Sequence, residues 1–256
     1  MFNILLNLFV TSFLYVWATL AHTTMRRFLI FLALIALAAC RGGHPQRILF
    51  IGDSITDGKW GYECNGTRNL DDMNHIFGHS YMYICASHFM SAYPERDYKF
   101  FNRGISGNTI ADISNRWQAD AISLNPDVIS ILAGINDIIC TPDFAVDTVG
   151  FEQSYRNILT ASRMHNPDVR IVLGEPFTEQ GFRVDAEGRA RMACESLSRI
   201  VRRLALEYDA VFVPYQSMFD KLCAAGDVTY WIWDGVHPSP AGHYKMAELW
   251  QKYVRL

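Results

Sequence analysis

The sequence predicts an α/β protein, a three-layer α/β/α sandwich on a five-stranded, mainly parallel sheet. Three observations lead there. Short apolar runs alternate with longer segments of helical period, the rhythm of a parallel sheet covered on both faces. Asn125-Pro126 and Asn166-Pro167 each close a helical segment just before an apolar run, because the residue before proline avoids helical backbone. Several runs stop abruptly in turns rich in Gly, Ser, Asn and Asp, as strands do where they deliver groups to a crevice beyond their carboxyl ends.

Taken in order, the strands are expected at Arg47 to Gly52, Tyr98 to Asn102, Val128 to Ala133, Arg170 to Gly174 and Ala210 to Val213. Helices are expected at Ser80 to Ala92, Ile110 to Ser123, Phe151 to His165, Gly188 to Tyr208 and Ala241 to Tyr253. Two stretches break the rhythm: a polar and aromatic insertion from Lys59 to His79, and a glycine-containing loop from Thr178 to Glu187. Both follow strands, where loops shape binding crevices.

Composition bounds the function. Half the residues are hydrophobic, 19% are charged and the net charge is −3, the profile of one globular domain with a substantial core, residues 41–256. Lysines and arginines are scattered without a basic stripe, which argues against nucleic acid as a partner.

The first 40 residues read as an export segment outside that domain. Met25-Arg26-Arg27 and the apolar Phe28 to Ala36 form a charged start and a core too short to span a bilayer, ending in Leu37-Ala38-Ala39-Cys40. That ending resembles a bacterial lipobox, which implies lipid on Cys40 and an exported lipoprotein at the cell envelope, touching membrane only through its anchor. The alternative is an ordinary secretory peptide cleaved near Ala39. Phe2 to Ala21 is a second apolar stretch with no basic start, consistent with translation beginning at Met25 or, alternatively, with an upstream membrane helix. Loss of residues 1–40 removes only Arg26 and Arg27 from the charge count and moves the net from −3 to −5.

Five cysteines then remain, Cys64, Cys85, Cys140, Cys194 and Cys223, with no CxxC pair and no metal cage. Cys85 and Cys194, set in helical patterns, read as buried free thiols.

The chemistry sits at strand ends. The first strand runs into Gly52-Asp53-Ser54-Ile55-Thr56-Asp57-Gly58, so Ser54 is delivered to the sheet edge. By itself this is equally well a helix cap. After the second strand, Gly104-Ile105-Ser106-Gly107-Asn108-Thr109 is a two-glycine turn whose amides are free to face an anion, though glycine also serves tight turns without ligands. After the third strand comes Gly134-Ile135-Asn136-Asp137. In Asp234-Gly235-Val236-His237 a carboxylate stands three residues before an imidazole, close enough to fix its tautomer while the other ring nitrogen meets a serine.

Four such blocks in this order resemble the GDSL/SGNH hydrolases. The resemblance spans almost the whole chain after residue 40 and places that family's named residues on Ser54, Gly107, Asn136 and His237. The first block departs from the family pattern only in Ile55, where leucine is usual. What it implies is a flavodoxin-like fold and a serine esterase: Ser54 the nucleophile, His237 the base, Asp234 its orienting acid, and an oxyanion hole from the Ser54 and Gly107 amides with the Asn136 side chain. No metal or organic cofactor is implied. GxSxG, HExxH and GxxxxGK[ST] frames are absent from the sequence.

Trp60, Tyr62, Tyr230, Trp231 and Trp233 flank the catalytic blocks, and flat rings there suit stacking on sugar faces. The leading expectation is a carbohydrate O-acetylesterase acting on a glycan ester. A lysophospholipase or other lipid esterase is the alternative within enzymes, and a non-catalytic glycan-binding module on the same fold is the alternative outside them.

Overall fold

The computed structural model describes residues 45–61, 68 and 73–256. The expectations for the export segment with Cys40, for Tyr62 and Cys64, and for residues 62–67 and 69–72 of the Lys59 to His79 insertion lie outside the described residues. Five strands, β1 (Arg47–Gly52), β2 (Lys99–Gly104), β3 (Val128–Leu132), β4 (Arg170–Gly174) and β5 (Val211–Val213), form one sheet in the order β2-β1-β3-β4-β5 with every pairing parallel. The three-layer sandwich is as expected, and each strand lies within two residues of its predicted bounds.

Alternation along the strands splits the core in two. Leu49, Ile51, Ile129, Ile131, Ile171 and Leu173 face one layer, and Ile48, Phe50, Val128, Leu132 and Val172 the other. Burial of each such side chain is worth about 1.5–3 kcal/mol. The first layer holds α3 (Ile110–Asn115), α4 (Trp117–Asp120), α5 (Ile135–Ile139), α6 (Thr148–His165) and α7 (Arg189–Glu207). The second holds α2 (Tyr81–Ala92), α8 (Tyr215–Ala224) and α10 (Pro240–Val254). Two short helices complete the described residues, α1 (Ser54–Asp57) and α9 (Val228–Trp231).

Two differences from the sequence reading have physical causes. The expected helix from Ile110 to Ser123 is broken into α3, α4 and a 3₁₀ turn, because Arg116 leaves helical backbone at φ −102°, ψ 6°. Its guanidinium serves acceptors outside the helix: Asn108 Oδ1 at 2.8 Å, Arg103 O at 2.9 Å and Gly52 O at 3.2 Å. Helix α8, to which the sequence reading assigned nothing, follows Pro214 and buries Tyr215, Gln216 and Phe219. No helix among the described residues is long and apolar enough to cross a membrane. Cys85 and Cys194 are free thiols and buried.

Candidate active site

Sheet register assembles the site. Gly52, the last residue of β1, pairs with Gly104 on one side and with Leu132 on the other, so the turns after three adjacent strands leave the sheet at one level. Ser54 then opens α1, capped by the Asp53 carboxylate, which accepts from the Ile55 amide. The second turn holds Gly107 at φ +85°, a conformation that other residues adopt at a cost, although a side chain there would meet nothing within 4 Å. Backbone geometry, not crowding, calls for glycine.

That turn is clamped from three sides. Asp57, on the helix that carries Ser54, accepts from both the Ser106 amide at 3.0 Å and its hydroxyl at 2.8 Å. Asn136 Nδ2 donates to Asn108 O at 3.0 Å. Asp137 accepts the Ile110 amide at the start of α3, through Oδ2 at 3.1 Å. Thus Gly107 and Asn136 are brought together, with Ser54 just after the strand that lies between theirs.

The third component comes from the far end of the chain. Ser54 Oγ lies 2.9 Å from His237 Nε2, and His237 Nδ1 lies 2.7 Å from Asp234 Oδ2. Asp234 is fully buried, and its Oδ1 accepts from the amides of Val236 at 2.9 Å and His237 at 2.7 Å. Burial works to raise its pKa. The hydrogen bonds from His237 and Val236 outweigh burial and hold the carboxyl below the usual aspartate range. A hydroxyl, an imidazole and an ionised carboxylate in this chain can pass a proton from oxygen to ring nitrogen.

Two other acids lie under the site and behave oppositely. Burial pushes Asp53 up to about 7, and its Oδ2 has no hydrogen-bond partner among the described residues. Asp137 is likewise pushed up to about 7 by burial, against the opposing bond from Ile110. Among the described residues no cluster of His, Cys, Asp and Glu is arranged to hold a metal ion.

The loop expected at Thr178 to Glu187 is present and is stitched onto the backbone of the Asp234–His237 turn. Glu179 N donates to Gly235 O at 3.0 Å, Thr178 Oγ1 to the same oxygen at 2.8 Å, and Arg183 N to Asp234 O at 3.0 Å. Gly181 packs so closely there that a Cβ would lie 2.1 Å from the Asp234 carbonyl carbon. The Arg183 side chain also turns in, with Nε 2.8 Å from Asp234 Oδ2.

The aromatic expectations divide. Trp60 is corrected from crevice wall to interior: it is 7% exposed, Nε1 donates to Gly104 O at 2.7 Å, and the guanidinium groups of Arg68 and Arg103 lie over its ring. A β-strand backbone with an inward acceptor and two cations nearby competes better for the indole than solvent does. Trp231 is half-buried, edge-on to Tyr230. Trp233 is 52% exposed beside the Asp234–His237 turn, and Phe182 of the stitched loop meets it edge to face at 5.0 Å.

Phe182 and the supporting groups Asp57, Arg116, Asp137 and Arg183 were missing from the sequence reading. Asp57 and Asp137 sit inside the quoted blocks, whose spacing was the available signal; Arg116, Phe182 and Arg183 carry none.

A serine that opens the first helix, without a nucleophile elbow, puts this molecule in the class of three-layer hydrolases that build their site from separate strand-end turns. The profile of the GDSL-like Lipase/Acylhydrolase family matches residues 50–245, and the chain belongs to that family. An acetylxylan esterase from Geobacillus stearothermophilus is 31% identical over 220 residues, which make up 83% of this chain and 95% of that protein. The crystal structure of a catalytic mutant of an acetylxylan esterase from the same organism superposes with a TM-score of 0.73 at 29% identity, covering 84% of this chain and 96% of that one. A protein from Parabacteroides merdae described as a GDSL-like lipase gives 0.72 at 32% identity, over 81% and 94% of the two chains. This protein is a carboxylic ester hydrolase.

Proposed function

We propose that the protein removes acetyl groups from a carbohydrate chain through an acyl-enzyme on Ser54. His237 Nε2 takes the hydroxyl proton as Ser54 Oγ attacks the ester carbonyl, and Asp234 steadies the imidazolium that forms. The oxyanion is received by the Ser54 and Gly107 amides and the Asn136 side-chain amide. His237 returns the proton to the leaving sugar oxygen, then activates the water that frees acetate and restores Ser54. The same reading makes the protein an exported lipoprotein held to the envelope through Cys40.

The observation that carries the acetyl and carbohydrate part is the 31% identity to an acetylxylan esterase across 95% of that relative. Three crystallised catalytic mutants of an acetylxylan esterase from the same organism alter a serine, an aspartate and a histidine, the last two three residues apart, the spacing of Asp234 and His237. The exposed Phe182–Trp233 pair supports it, since flat rings beside the acyl site fit a sugar face better than a hydrocarbon tail, which needs a continuous apolar wall worth about 0.8 kcal/mol per buried methylene.

The test compares kcat/KM for acetyl and decanoyl esters of one leaving group, together with acetate release from acetylated xylan. Acetyl esters should be strongly preferred, xylan should lose acetate, and Ser54→Ala should abolish both while the variant stays folded. Equal or better turnover of the decanoyl ester would instead assign a lipid esterase.

A further inference from the structure

Arg183 belongs to no motif, yet its placement on the catalytic carboxylate is unusually constrained. Among the described residues it is the one arginine or lysine in ion-pair contact with Asp234. Arg183 Nε lies 2.8 Å from Asp234 Oδ2 as an ion pair, and His237 Nδ1 lies 2.7 Å from the same atom, so guanidinium and imidazole share one oxygen. The arginine is delivered by backbone that is itself bonded to Asp234 O, through the Arg183 amide at 3.0 Å. Side chain and main chain therefore hold the same aspartate.

Two positive groups on one carboxylate oxygen compete. An unaided aspartate makes its histidine a stronger base and also keeps it protonated at mildly acid pH, where it cannot take the serine proton. A permanent cation on the same oxygen offsets part of that field.

We propose that Arg183 is a positioning residue that sets the acid limit of catalysis: by holding Asp234 and offsetting its charge, it keeps His237 an unprotonated base further into acid than the Asp–His pair alone would allow. This rests on the roles assigned above to Ser54, His237 and Asp234. The groups around the imidazole are the Ser54 hydroxyl from α1, Asp234 in its own turn, Arg183 from the stitched loop on that aspartate, and His243 from α10, which also feels His79. Burial pushes His243 down to about 4, so it adds no charge across the range in question.

The experiment records kcat/KM against pH with a p-nitrophenyl acetate substrate for the wild type, Arg183→Gln and Arg183→Lys, each checked for folding by circular dichroism. The same proteins are titrated by NMR on the His237 ring resonance, assigned with His237→Asn. Because the arginine is half-exposed and screened, the acid limb and the ring titration should both move up by roughly half a pH unit in Arg183→Gln. Arg183→Lys, which keeps the charge, should restore most of the wild-type position. A limb and ring titration that stay in place in Arg183→Gln, or that move equally in both variants, would overturn the assignment and leave Arg183 as a loop tether only. The ring titration needs no turnover, so it decides the matter even if the assigned catalytic roles fail.

Discussion

Asn136 shows how much a single side chain does here. Its amide nitrogen already holds Asn108 O, which fixes the turn carrying Gly107, and in the proposed mechanism the second hydrogen of the same amide is the one offered to an oxyanion. Asn136→Ala should therefore lower kcat by roughly 10²- to 10³-fold with little change in KM. Steady-state kinetics on an acetyl ester check this, and a raised KM at constant kcat would make Asn136 a substrate-binding residue instead. At this scale the sequence was most informative where chemistry and backbone constraint coincide. Ser54, Gly107, Asn136, Asp234 and His237 each sit in a short block whose spacing has a geometric reason. Trp60 went the other way because its fate depends on Gly104, Arg68 and Arg103, which only the fold places around it. Arg183 was invisible for the same reason: its partner is distant in sequence and its loop has no period.

Helices and turns carry the next layer. The strands and long helices were legible from apolar period and proline, whereas the break at Arg116 was not, since its cause is a set of carbonyls at the ends of other elements. Asp137 illustrates what such cross-element ties do to stability. It joins α5 to the amino end of α3 through the Ile110 amide, and burial pushes its carboxyl up to about 7 from the ordinary aspartate value of roughly 4. A raised carboxyl binds its proton more tightly folded than unfolded. Its contribution is thus fully present below about pH 4 and is lost as pH rises through about 7. Asp137→Asn keeps an acceptor for Ile110 and removes the titration. Urea midpoints measured from pH 4 to 7.5 should accordingly fall more steeply with pH in the wild type than in the variant. Asp53, which titrates in the same range, is present in both, so parallel curves would show that Asp137 is not the group responsible.

For the whole molecule, the open matter is where it works. If Cys40 carries lipid, Cys40→Ser should move the protein from the membrane fraction to the soluble one, because several acyl chains on one cysteine are what makes such an anchor stable. Fractionation followed by immunoblotting reads this directly, and a variant still in the membrane would count against lipidation. The architecture has one more consequence. The serine follows the first strand of the sheet and the histidine comes after the last, 183 residues later, on the turn that leads into α10. That helix packs its Trp250 against Phe50 of the first strand and donates from the indole to Ser130 of the third. If Ser54 and His237 have the roles proposed above, a chain still being synthesised consequently has a nucleophile with no base. On that reading no ester can be cleaved before the final turn has been added to the chain.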